Sequence, residues 1–122
     1  MFFSTTKIKI YLYTKTIDGH WGIDRLAHLA QSKLGLDPRS GSLFVFFNKS
    51  KTRAKIYYFD GSGSCLFYKR LEKGQFKFPR IAEGGVSCDI APTELSLLLE
   101  GGRLENISKP APWNPEMRVS SH

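Results

Sequence analysis

The sequence predicts an α+β domain: a mainly antiparallel sheet, a meander with hairpins, carrying one longer N-terminal helix and a short C-terminal helix. Three observations predict it. Apolar and polar residues alternate over 7–13, apolar residues recur at helical spacing from Ile23 to Leu34, and from Leu43 the chain breaks into short aromatic and β-branched runs divided by turn residues. With 122 residues, 41% of them hydrophobic, the chain can bury one core. Residues 1–102 are expected to form that single domain.

The first strand is expected over 7–13, where Ile8, Ile10 and Leu12 alternate with more polar partners, the period of a half-buried strand. After a loop over 14–21, Ile23, Leu26, Ala27, Ala30 and Leu34 mark one helical face; Asp24 suits the first turn and Gly35 offers a left-handed stop. Strands are then expected over 43–47, 54–59, 64–71 and 75–78. Asp60-Gly61-Ser62-Gly63 is a tight-turn signal, because glycine accepts the positive φ angles that hairpins require. Symmetric closure of this turn sets Tyr58 opposite Cys65, Ile56 opposite Phe67 and Lys55 opposite Tyr68. Closing 48–53 in the same way sets Phe46 opposite Lys55 and Val45 opposite Ile56. Pro92 and Glu94 suit the first turn of a last helix, whose stripe of Leu95, Leu98 and Leu99 stops at Gly101-Gly102. Pro110, Pro112 and Pro115 with few apolar anchors predict an extended or disordered tail over 103–122.

This register divides the sheet into two faces, since successive strand side chains point opposite ways. Leu43, Val45, Phe47, Ile56, Tyr58, Cys65 and Phe67 form a core face for the helix to cover. The other face holds Phe44, Phe46, Lys55, Tyr57, Phe59, Leu66, Tyr68 and Arg70, an unusual mixture of rings and cations. It reads either as a platform for nucleic acid or as a surface covered by a second layer, the C-terminal helix or a partner.

The formal charge of +7 is local. Residues 49–80 hold nine basic residues against Asp60 and Glu72 and so carry +7 alone; the rest holds nine basic and nine acidic residues and sums to zero. Such an excess fits a polyanion, because cations near phosphates gain by releasing condensed counterions. The candidate nucleic-acid-binding residues are Lys49, Lys51, Arg53, Lys55, Tyr57, Tyr68, Lys69, Arg70, Lys73, Lys77 and Arg80.

Other chemistry is poorly supported. Cys65 and Cys88 lack the spacing of a zinc site, and His20, His28 and His122 are scattered. Asp18, Asp24, Asp37 and Asp60 fall at expected turns or helix starts, which accounts for them without a metal. The Asp60–Gly63 turn joins two strands, with no helix after it to cradle a phosphate. No catalytic residue, metal or cofactor is expected. No stretch approaches the roughly 20 apolar residues of a membrane span, and Met1-Phe2-Phe3-Ser4 lacks a signal core, which predicts a soluble, cytoplasmic protein without membrane association.

Several strings resemble one family at matched spacing: Ser40-Gly41-Ser42-Leu43-Phe44-Val45-Phe46, then Lys55-Ile56-Tyr57-Tyr58-Phe59-Asp60-Gly61-Ser62-Gly63, and Leu98-Leu99-Glu100-Gly101. Most specific is Tyr68-Lys69-Arg70-Leu71-Glu72 followed by Gly74, Phe76 and Pro79. Over residues 7–102 the chain resembles the small accessory (TnpB) proteins of the bacterial insertion-sequence family numbered sixty-six, which are distinct from the RNA-guided nucleases of that name. One departure concerns a loop: Asp18-Gly19-His20-Trp21-Gly22 stands where the family carries Asp-Met-Arg-Lys-Gly, so His20 and Trp21 replace an arginine and a lysine. The resemblance implies a non-catalytic factor in DNA transposition, encoded beside a transposase gene, with insertion-sequence ends and the transposase as partners. Three classes compete: a DNA-binding module, a protein adaptor for the transposase, and a small metal-dependent nuclease.

Overall fold

The computed structural model describes residues 8–77 and 85–101. Their elements are β1 (Ile10–Ile17), α1 (Ile23–Ser32), β2 (Leu43–Asn48), β3 (Arg53–Phe59), β4 (Ser64–Arg70), β5 (Ser87–Asp89) and α2 (Pro92–Leu99). The strands form one sheet in the order β4-β3-β2-β1-β5. β2–β3, β3–β4 and β1–β5 pair antiparallel, whereas β1 and β2 run parallel. The fold is therefore α+β with a mixed sheet. Its parallel pair follows from α1, which lies between the two strands in sequence and lets the chain cross over and return in the same direction.

The hairpin registers are the expected ones: Tyr58 faces Cys65, Ile56 faces Phe67 and Val45, and Lys55 faces Tyr68 and Phe46. β1 differs from its expectation by running through Thr14, Lys15, Thr16 and Ile17, residues assigned above to a loop. Its register shifts between Leu12, opposite Val45, and Thr16, opposite Phe47. Two extra residues are absorbed there, an even number, so the inward-facing sets on either side of the irregularity stay matched. No strand forms over 75–77; instead Phe76, 1% exposed, inserts beside Phe47 with ring centroids 5.2 Å apart. β5 was not expected at all. Phe78, Arg80 and the tail over 103–122 lie outside the described residues.

Helices cover both faces. On one, Leu95 and Leu98 of α2 pack with Ile10, Leu12, Val45, Phe47, Ala54 and Ile56. On the other, Leu26, Leu29 and Ala30 of α1 pack with Tyr13, Phe44, Phe46 and Tyr57. This reverses the expected assignment, in which the N-terminal helix covered the Val45 face. The central strand carries a signal that predicts burial on both sides: Phe44-Val45-Phe46-Phe47 is a continuous apolar run without polar alternates, and all four are 0% exposed.

α1 was expected to be a long helix with apolar positions reaching Leu34; it is short, with 10 residues, and ends at Ser32. Its end is closed by N–H groups of Lys33 and Leu34 donating to the Leu29 carbonyl and that of Leu36 donating to Ala30, around Gly35 at φ +66°. α2 begins at Pro92, and the Ala91 N–H donates to Glu94 Oε1 at 2.6 Å, satisfying a donor that the helix itself leaves free.

Candidate nucleic-acid interface

The β2–β3 loop is built around Asn48. Its Oδ1 accepts the N–H groups of Thr52 and Arg53, each at 3.0 Å, and the Asn48 carbonyl accepts the Lys51 N–H at 3.0 Å. Lys51 takes φ 60°, a conformation uncommon for a side-chain-bearing residue, and the Asn48 bonds hold it there. The loop presents Lys49 to solvent.

The chain beyond β4 is tied to this loop. Leu71 N–H donates to the Thr52 carbonyl at 2.9 Å, Gln75 Nε2 to Ser50 at 2.8 Å, and Phe76 N–H to Lys51 at 2.7 Å. These bonds bring exposed Lys73 and Lys77 to the same end of the sheet. There Arg53 and Arg70 face one another across β3 and β4. Like charges directly opposite repel, so the pair is better satisfied with an anion between them. Arg53 also lies over the 18–22 loop, where a Cβ on Gly19 would stand 3.1 Å from Arg53 Nη1. Between the two loops is an open cleft lined by Asp18, Gly19, His20, Lys49, Ser50 and Arg53 among others.

Lys49, Lys51, Arg53, Arg70, Lys73 and Lys77 thus converge on one end of the sheet. Among the described residues Lys9 and Asp89 form an ion pair at 3.7 Å, whereas Lys49, Arg53, Arg70, Lys73 and Lys77 form none with any other described residue.

Three of the expected site residues stand elsewhere. Tyr57 is 1% exposed beneath α1, its ring tilted against Phe44 with centroids 6.2 Å apart and its hydroxyl 2.9 Å from Ser64 Oγ, so no ring face remains for a base. Lys55 is 8% exposed, and its Nζ donates to the Gly19 and Trp21 carbonyls at 2.6 and 2.7 Å. Burial, helped by neighbouring Arg53, pushes the Lys55 ammonium below its ordinary pKa, against the opposing pull of Asp18. Lys69 reaches the other face, donating to the Leu99 carbonyl at the end of α2 at 3.0 Å. These three hold the fold together. Tyr68, 47% exposed with Lys55 Nζ 5.2 Å from its ring, stays at the surface, while Arg80 lies outside the described residues.

The sequence reading missed Arg25, whose guanidinium carbon sits 4.4 Å over the Trp21 ring; because Trp21 precedes α1, helical spacing gave no signal for this contact. The carboxylates do local work, as expected. Asp18 accepts the His20 N–H, Asp37 that of Arg39, and Asp60 those of Ser62 and Gly63. Among the described residues no three of His, Cys, Asp and Glu gather closely enough to hold a metal ion, and no helix is long and apolar enough to cross a membrane.

Comparison with known proteins gives a consistent picture. The family described as IS66 Orf2 like protein matches residues 8–109. The uncharacterized protein y4hO of Sinorhizobium fredii is 42% identical over 98 residues, covering 80% of this chain and 84% of the relative. A second uncharacterized protein of that organism, y4jC, is 38% identical over 94 residues, or 77% and 79% of the two chains. No solved structure matches at a significant level.

Proposed function

Because the chain belongs to the IS66 Orf2-like family, which ties it to insertion-sequence transposition, we propose that it is a non-catalytic accessory factor that binds element-end DNA through the basic end of its sheet. The observation that carries this reading is the convergence of Lys49, Lys51, Arg53, Arg70, Lys73 and Lys77. Cations on a rigid sheet end and a hydrogen-bonded loop lose little freedom on meeting phosphates, and each contact releases counterions. The transposase, or its complex with DNA, is the expected protein partner, and the cytoplasm the expected compartment.

The test is a titration of labelled duplex carrying an insertion-sequence end, between about 50 and 200 mM salt. Affinity should fall steeply with salt. Arg53→Gln together with Arg70→Gln should flatten the log–log slope by about 1.8, since each duplex phosphate contact contributes about 0.9. Binding that ignores salt, or a slope unmoved by the double substitution, would remove the reading.

The adaptor alternative has one observation in its favour: β4 is an edge strand, with Phe67 44% and Tyr68 47% exposed. An exposed edge can accept another chain's strand. Capture of the transposase from nuclease-treated extract, lost on Phe67→Ser, would favour it.

A further inference from the structure

We propose that Trp21 and Tyr68, both tied to the buried Lys55 ammonium, form a stacking site for the bases of single-stranded DNA. This inference rests on the DNA-binding reading above and adds the strandedness of the ligand.

The two residues come from distant parts of the chain and are tied to one group, Trp21 through its backbone carbonyl and Tyr68 through its ring. Lys55 Nζ donates to the Trp21 carbonyl at 2.7 Å and lies 5.2 Å from the centre of the Tyr68 ring. Its bond to Gly19, at 2.6 Å, fixes the same loop at a second point. Tyr68 is 47% exposed, and Trp21, packed on one side against the core beneath α1, stays half-buried. The exposed Arg25 guanidinium over the indole shows that a flat group arriving from solvent can lie on that ring. A nucleobase is such a group, and a displaced Arg25 is free to meet the adjoining phosphate.

The surroundings favour a polyanion. Arg25 adjoins Trp21, Arg70 stands two residues from Tyr68 on the same strand face, and Arg53 pairs with Arg70. Asp18, the nearby carboxylate, is turned into its own loop, accepting the His20 N–H at 2.8 Å. Duplex bases are already stacked and offer their faces to no ring, whereas unpaired bases stack on aromatic side chains without regard to sequence. Lys55 acts here as a positioning residue: it touches no ligand but holds the loop that carries Trp21.

The experiment uses the full chain and fluorescence anisotropy with a labelled oligothymidine and a labelled duplex of equal length. Tyr68→Ala and Trp21→Ala should each weaken oligothymidine binding about 5- to 150-fold, the range for one lost base stack. Duplex affinity and its salt slope should hold. Tyr68→Phe, which keeps the ring, should bind oligothymidine like the unsubstituted protein, and matched melting curves would show that each variant folds. If Tyr68→Ala and Trp21→Ala fold and bind oligothymidine unchanged, while Arg53→Gln with Arg70→Gln weakens duplex binding, the stacking site is wrong and the basic end survives. Absence of binding to either DNA overturns both readings.

Discussion

Lys55→Met removes the ammonium but keeps most of the buried stem, which isolates the clasp on the 18–22 loop. Each hydrogen bond from a charged donor is worth about 1.5–3 kcal/mol, and the Gly19 and Trp21 carbonyls would lose one apiece. Two effects reduce that total. Both loop residues are part-exposed, so water replaces some of the lost bonding, and burying the ammonium has a cost that shows in its lowered pKa. The net loss should be about 2 kcal/mol, and at about 3–5 °C per kcal/mol for a chain of this size the Tm should fall about 6–10 °C. Hydrogen exchange at the His20 and Trp21 amides, which bond Asp18, should quicken. The pH dependence supplies a second readout. A cation whose folded pKa lies below its unfolded value of 10.5 binds its proton less tightly when folded. The unsubstituted protein should therefore gain a component of stability as pH rises from the folded pKa toward 10.5, and Lys55→Met should lack that component. A variant that melts with the unsubstituted protein and exchanges at the same rate over 19–22 would refute the clasp.

Two further outcomes test the frame around the site. Phe76→Ala should cost about 3–5 kcal/mol in urea unfolding, because a ring 1% exposed against Phe47 leaves a cavity. It should also weaken duplex binding, since the 71–77 segment carries Lys73; unchanged stability would mean the segment is not packed. The Asp60 carboxyl is held below its ordinary value, 3.8, chiefly by the N–H groups of Ser62 and Gly63. Its contribution is therefore present above that pH and lost as pH falls through the folded pKa. Asp60→Asn should lack this component of acid unfolding, and identical acid curves for the two proteins would exclude it.

The hairpins were legible from sequence because their determinants are local. Asp60-Gly61-Ser62-Gly63 and the alternating runs beside it set the β3–β4 register to the residue, and Asn48 closes the other turn with its own side chain. The local excess of basic residues was equally visible, and so was the family. What escaped was the matching of faces to helices. Phe44, Phe46 and Tyr57 look like a platform when β2, β3 and β4 are considered alone, but a crossover through α1 makes β1 parallel to β2 and lays a helix over those rings.

The chain's order of residues determined that β2 pairs with β3 and β3 with β4, in what register, and that seven net positive charges fall within 49–80. Only the tertiary structure decided which of those cations face outward. Lys55 meets carbonyls 36 and 34 positions earlier and Lys69 one 30 positions later, contacts that exist solely because the crossover and α2 bring distant backbone to the sheet. A strand's alternation says that a side chain points to one face or the other; what waits on that face is set by packing between elements far apart in the chain.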